Sequence, residues 1–141
     1  MRAKSFLVGL LLTAFAAAPA AANDDLFTVI TSDSDETRMM ALILTMQAVE
    51  QERDARVLLC DAGGDLAIAD EPGGPTFEPA GMTPRQLLQG LIDRGVQVDV
   101  CAIYLPQRDY DESDLIDGVG SAQADEVGAY MAEPDVRYFS F

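Results

Sequence analysis

One stretch of the sequence decides the fold: GVQVDVCAIYLP, residues 95–106. Its β-branched and aromatic residues predict a strand, bounded by Gly95, which closes the helix before it, and by Pro106. Alternation places Cys101 on the same face as Asp99, near the carboxyl end of a strand inside the sheet. Open α/β sheets form their binding crevices at that end, which makes Cys101 a candidate site. The alternative is that Cys101 only fills the core, since free cysteine is among the most buried residue types.

The first 22 of the 141 residues have the pattern of a secretory signal peptide. A basic start (Arg2, Lys4) precedes an apolar run at residues 5–18, and small residues follow at 20–22. This pattern predicts cleavage before Asn23 and export to the periplasm. The run is too short to span a bilayer. Residues 23–141 are then a single domain, long enough to bury its own core.

The composition is strongly acidic, with a formal net charge of −15 from 24 acidic and 9 basic residues and no histidine. Loss of Arg2 and Lys4 with the signal peptide makes the net charge −17. Such a surface repels phosphate backbones and anionic lipids, so we expect neither nucleic acid nor membrane as a partner. We also expect no metal and no cofactor. The sequence has no cluster of metal ligands, and Gly63-Gly64 lacks the lysine and the helix of a phosphate-binding loop.

Two cysteines, Cys60 and Cys101, are each predicted near the end of a strand. In an exported protein they could form a disulfide or a redox pair. Bridges between adjacent parallel strands strain the required geometry, which makes a disulfide the less favoured alternative.

Strands and helices alternate along the chain, and this order predicts a mostly parallel sheet. We expect a three-layer α/β/α fold with five strands and helices on both faces. The helix at residues 35–51 is apolar nearly all round, which suggests burial against a partner subunit as well as against the sheet. The segment 65–82 is rich in glycine and proline and predicts a long irregular loop. The other predicted elements are strands at 26–30, 56–61 and 136–141, a strand or turn at 118–121, and helices at 83–95, 111–116 and 122–132.

Four segments of this chain, taken together, resemble the DsrE/DsrF-like family. They are the apolar helix around RMMAL (38–42), the strand and turn VLLCDAGGDLA (57–67), VDVC (98–101) with DESDLIDGV (111–119), and the terminal VRYFSF (136–141). The resemblance implies a three-layer α/β/α fold, homo-oligomers that are often trimers or hexamers, and sulfur handling. In sulfur-relay members a cysteine at the position of Cys101 accepts sulfur as a persulfide, so the resemblance makes Cys101 the predicted catalytic residue.

This chain departs from the family pattern beside that cysteine. Tyr104 stands where some relatives have a second cysteine, and Arg108-Asp109 stands where an Arg-Gly pair is frequent. Asp99 lies about 7 Å away on the same strand face and disfavours a thiolate. Arg108, or an arginine of a partner chain, is the compensating charge that we expect. The other predicted site neighbours follow strand ends: Ser32, Asp33 and Asp61.

Two functions are compatible with these features. The first is a periplasmic sulfur carrier or sulfurtransferase-like protein that holds sulfane sulfur on Cys101. The second is a non-catalytic, oligomeric binding or accessory protein in which Cys101 is buried and inert. Whether the protein is an enzyme stays open, and the sequence names neither a sulfur donor nor an acceptor.

Overall fold

The computed structural model describes residues 24–141, so the predicted signal peptide and its cleavage site lie outside the described residues. The described chain forms a five-stranded parallel sheet with strand order β4-β3-β2-β1-β5. The strands are β1 (Asp25–Ile30), β2 (Ala55–Leu59), β3 (Gln97–Cys101), β4 (Val119–Ala122) and β5 (Val136–Ser140). The helices are α1 (Asp35–Glu50), α2 (Pro84–Ile92), α3 (Tyr104–Gln107) and α4 (Ala124–Met131). Two 3-10 helices, Asp61–Ala67 and Glu112–Asp114, complete the elements.

The three-layer α/β/α prediction is confirmed. Side chains alternate across the strands, so the two faces of the sheet carry two apolar clusters. The larger cluster lies between the sheet and the helices α1 and α2, and includes Val98 and Val100 of β3. The smaller one lies on the opposite face, where Phe27 and Leu58 pack with Val127 and Tyr130 of α4. Helices therefore cover both faces, and α4 covers its face with a thin layer.

Strand β3 is shorter than the sequence predicts. It ends at Cys101, and a turn leads into the short helix α3, which contains Pro106. The expectation that Pro106 ends the strand was wrong. A proline in the first turn of a helix loses no hydrogen bond, because the amide at that position has no intrahelical partner. Cys101 is thus the last residue of an internal strand, flanked by β2 and β4.

The predicted loop at residues 65–82 is more ordered than its composition suggests. Residues 61–67 form a 3-10 helix, and Leu66, Ala67 and Ile68 are buried. Arg85 of α2 donates hydrogen bonds to four carbonyls of the segment 65–69. Its side chain therefore holds the segment that follows β2 against the rest of the domain.

Side chains cap the starts of α1 and α2. Thr83 and Gln86 form a capping box at α2, with Pro84 in the first turn. At α1 the cap is Ser34, whose hydroxyl accepts from the amide of Thr37. Over residues 24–141, none of the helices has both the length and the apolar character that crossing a membrane requires.

Candidate functional site

Cys60 and Cys101 form a disulfide at the carboxyl edge of the sheet. Cys101 ends β3, and Cys60 follows directly after β2, one residue beyond the last registered pair, Leu59 and Val100. The two Cα atoms are 5.3 Å apart, inside the usual range for a bridge. The structure thus brings together the predicted site cysteine and its predicted redox partner.

This disulfide corrects the expectation that adjacent parallel strands disfavour a bridge. That restriction applies to residues held within the pleat of both strands. Here the pair lies where the ladder ends, and the chain turns away from the sheet at Asp61, which has a φ of 48°. Both cysteines are half-buried. Cys101 is therefore an oxidised sulfur in this state, and it becomes a nucleophile only after reduction.

Asp99, which we expect to disfavour a thiolate at Cys101, has a charge partner of its own. Asp99 is buried, and its carboxylate accepts from Arg56 Nη2 at 3.0 Å and from Gln97 Nε2 at 2.8 Å. The charge of Asp99 is therefore compensated by Arg56, from the neighbouring strand. Because Asp99 is paired, it opposes a thiolate at Cys101 less than an isolated carboxylate would.

A second group of side chains lies at the same edge of the sheet. Arg108 Nη2 donates to Asp61 at 3.1 Å, and its guanidinium lies 4.5 Å from the centre of the Tyr104 ring. The Tyr104 hydroxyl donates to Asp65 at 2.7 Å. Burial raises the pKa of Tyr104 well above its ordinary value, and the hydrogen bond to Asp65 raises it further. Tyr104 is therefore a neutral donor at physiological pH.

Gly64 makes this arrangement fit. A Cβ at Gly64 would lie 2.6 Å from Cζ of Tyr104. Gly64 therefore allows close packing against the Tyr104 ring, whereas Gly63 allows close approach to the backbone of Ile30.

Ser32 and Asp33, also predicted as site neighbours, have different surroundings. The carbonyl of Ser32 accepts from Arg38 Nε at 2.7 Å, so Ser32 is joined to the edge through its backbone. Asp33 is exposed, and the structure does not bring it into this network. Of the predicted neighbours, Asp61, Tyr104 and Arg108 form one connected group.

Sequence reasoning missed two members of the group, Arg38 and Asp65. Arg38 is buried on α1 and donates to the carbonyls of Ser32 and Ala62, with ion pairs to Asp35 and to Asp65 at 3.8 Å. An arginine on the apolar face of a helix was the signal that could have found it, since buried arginines are nearly always paired. Asp65 was missed because it follows Gly63-Gly64 directly, in a segment that the sequence predicted to be an irregular loop.

An apolar groove of about 340 Å³ opens beside the disulfide, on the face of the sheet covered by α4. Cys101 lines it at one end, together with the two residues that follow. Its walls come from β2, β4 and α4, and none of the lining residues is charged: Leu58, Ala122, Ala124, Val127, Gly128 and Met131. Residues 24–141 contain no cluster of three or more side chains of the metal-ligating types.

Comparison with solved structures places this architecture among known proteins. The crystal structure of the YchN protein from E. coli superposes with a TM-score of 0.67 at 24% sequence identity, covering 84% of this chain and 99% of that one. The chain has the fold of this protein. MTH1491 of Methanobacterium thermoautotrophicum, a protein of unknown function, gives a TM-score of 0.59 at 19% identity, covering 82% of this chain and 96% of its own. Both have the DsrE/DsrF-like fold.

Comparison by sequence finds less. No family model matches the chain, and no curated protein matches it. The assignment of the fold therefore rests on the three-dimensional likeness to these two structures. Activity must be argued from the site itself.

Proposed function

We propose that this protein is an exported sulfur carrier of the DsrE/DsrF-like family that holds sulfane sulfur as a persulfide on Cys101. The observation that carries the proposal is the position of Cys101. It ends an internal parallel strand, borders an open groove, and lies within bridging distance of a second cysteine. A sulfur that only filled the core would have neither the groove nor the partner.

The chemistry begins with reduction of the disulfide. A dithiol reductant opens the bridge and is itself oxidised to a disulfide, leaving two protein thiols. The Cys101 thiolate then attacks the sulfane sulfur of a donor persulfide, R–S–SH. The new S–S bond forms on Cys101, and R–S⁻ leaves. If Cys60 then attacks Cys101 Sγ, the disulfide forms again and HS⁻ leaves.

Loading should increase with pH, because the thiolate is the reactive form and an unperturbed thiol has a pKa of about 8.5. The Asp99 carboxylate next to Cys101 is paired with Arg56, which reduces the repulsion that a free carboxylate would exert. Delivery of the sulfur to an acceptor thiol would make the protein sulfurtransferase-like.

The test is intact mass spectrometry of the reduced protein after incubation with a persulfide donor across a pH series. We expect Cys60→Ser to trap one added sulfur on Cys101. Wild type should gain the same sulfur transiently and, with no acceptor thiol present, return to the disulfide form, because Cys60 displaces the sulfur as hydrosulfide. Cys101→Ser should gain no sulfur. An adduct that persists in Cys101→Ser, or no adduct in Cys60→Ser at any pH, would contradict the proposal.

A second function is favoured by the disulfide itself. In a non-catalytic binding or accessory protein, the bridge would only join β2 to β3, and its loss would cost about 2–5 kcal/mol of folding free energy. Exposure of the folded protein to a mild dithiol separates the two functions. A carrier is reduced while still folded, whereas a purely structural bridge is reduced only as the protein unfolds.

The proposed location follows from residues 1–22 and is tested separately. N-terminal sequencing of protein recovered from the periplasm should begin at Asn23. Recovery of the chain in the cytoplasm with Met1 intact would remove the export part of the proposal and leave the sulfur chemistry to be judged on the mass spectra.

A further inference from the structure

The groove beside Cys101 has the size and shape of a small-ligand site. Its volume of about 340 Å³ falls within the range of pockets that hold small molecules. The floor is the sheet, through Leu58 and Ala122, and one wall is α4, through Val127. Cys101 is the cysteine of the pair that lines it, so a bound molecule would meet the sulfur of Cys101 first.

Large apolar side chains are exposed at the rim of the groove. Ile103 is 72% exposed and Met131 is 50% exposed, and both line the groove. Exposed apolar surface next to a reactive group is characteristic of binding sites. Here it places two apolar side chains, Ile103 and Met131, around the approach to Cys101.

The charge of the chain and the uncharged lining of the groove both disfavour an anionic ligand. The chain carries a formal net charge of −15, which lowers the local concentration of anions around it. The lining residues carry no charge and offer an anion no ion pair. An anionic group would therefore lose its hydration in the groove without compensation.

We propose that this groove binds the uncharged, apolar organic part of a small thiol or persulfide and presents its sulfur to Cys101 Sγ. The inference deepens the proposed function, since it names the substrate class of the same cysteine. It also applies to the disulfide form. There a thiolate R–S⁻ attacks Cys101 Sγ, an R–S–S–Cys101 bond forms, the Cys60–Cys101 bond breaks, and Cys60 leaves as a thiolate that takes a proton.

The experiment measures how fast three thiols of similar length open the disulfide in the folded protein. The probes are 1-propanethiol, which is apolar, 2-mercaptoethanol, which is neutral and polar, and 3-mercaptopropionate, which is anionic. Reactions are quenched with acid, the mixed disulfide on Cys101 is quantified by mass spectrometry, and each rate is divided by the thiolate concentration. Propanethiol should react about fourfold or more faster than mercaptoethanol, the gain from burying one additional methylene-sized group. Mercaptopropionate should be the slowest.

Two matched lysine variants separate the groove from the overall charge. Met131→Lys places a positive charge at the rim, and Met40→Lys places the same charge on α1, where Met40 is also 50% exposed. The rate for mercaptopropionate relative to propanethiol should rise at least about fivefold in Met131→Lys. The reason is that the new ammonium group can form an ion pair with the carboxylate of mercaptopropionate in a partly desolvated site. Met40→Lys should leave that ratio near the wild-type value.

Equal rates for propanethiol and mercaptoethanol would overturn the inference, as would equal effects of the two lysine variants. Selectivity in these rates without sulfur loading of Cys60→Ser would keep the groove assignment and remove the carrier function. Sulfur loading of Cys60→Ser without selectivity among the three thiols would keep the carrier function and remove the groove assignment.

Discussion

At the scale of single residues, Gly64 controls how closely the segment after β2 approaches α3. Tyr104 cannot easily move aside for a larger residue, because its ring is buried, its hydroxyl donates to Asp65, and Arg108 lies over its face. A glycine here is a consequence of packing, since Cβ would overlap the ring.

Gly64→Ala should therefore destabilise the protein by about 1–3 kcal/mol, the usual cost of overpacking a filled site. Gly128→Ala is the matched control, because a Cβ at Gly128 meets nothing within 4 Å and alanine favours the helix α4. Urea unfolding measures both. A Gly64→Ala protein as stable as wild type would show that Tyr104 is free to move, and the network around Asp65 would then be loosely held.

At the scale of elements, an ion pair joins β2 to β3 beneath α4. Arg56 and Asp99 are both buried, and the Arg56 guanidinium also lies 5.5 Å from the centre of the Tyr130 ring. Burial of the pair removes both groups from water, so its net contribution to stability is small even though each partner depends on the other.

We expect Arg56→Met to cost about 3–5 kcal/mol, because it leaves the Asp99 carboxylate buried without its charge partner. The double variant Arg56→Met/Asp99→Val should recover most of that loss, since no charge is then left unpaired. Arg137→Met is the control. This variant breaks the ion pair between Arg137 and Asp24. Because the Arg137 side chain is 61% exposed, the loss should cost less than about 1 kcal/mol of stability. Chemical unfolding of the four proteins gives the comparison. A double variant no more stable than Arg56→Met would show that the arginine acts through packing.

At the scale of the whole molecule, the outer side of α1 and the edge strand β5 form a second apolar surface. A groove of about 270 Å³ runs between them, and two of its lining residues, Leu44 and Phe139, are each about half exposed. The sequence predicted that α1 has more apolar surface than one sheet face covers, and this side of the helix is where that surface lies.

A homo-oligomer that buries this surface stays a prediction, with a trimer or hexamer expected from the resemblance. Light scattering of wild type at micromolar concentration should give a multiple of the chain mass. Leu44→Asp should shift the protein toward monomer, because a buried unpaired carboxylate opposes association. Ile103→Asp, on the opposite face of the sheet, should leave the assembly intact. A wild-type monomer, or dissociation by Ile103→Asp alone, would place the interface elsewhere or remove it.

Much of the architecture was predictable from the sequence because its causes are local. Alternating and continuous apolar runs mark the strands, and a capping residue such as Thr83 marks a helix start. The alternation of strands and helices then restricts the topology to a parallel sheet. The same local signals placed Cys101 at the carboxyl end of an internal strand, and the structure confirms that position.

The tertiary structure alone decided what surrounds Cys101. Its pairing with Cys60 depends on the register of β2 and β3 and on the turn at Asp61, and that register joins residues 41 positions apart. The neutralisation of Asp99 by Arg56 has the same origin. The groove arises where α4 lies over the sheet, between segments distant in sequence. Periodicity reports which face a residue occupies, whereas contacts between elements depend on how those faces are brought together.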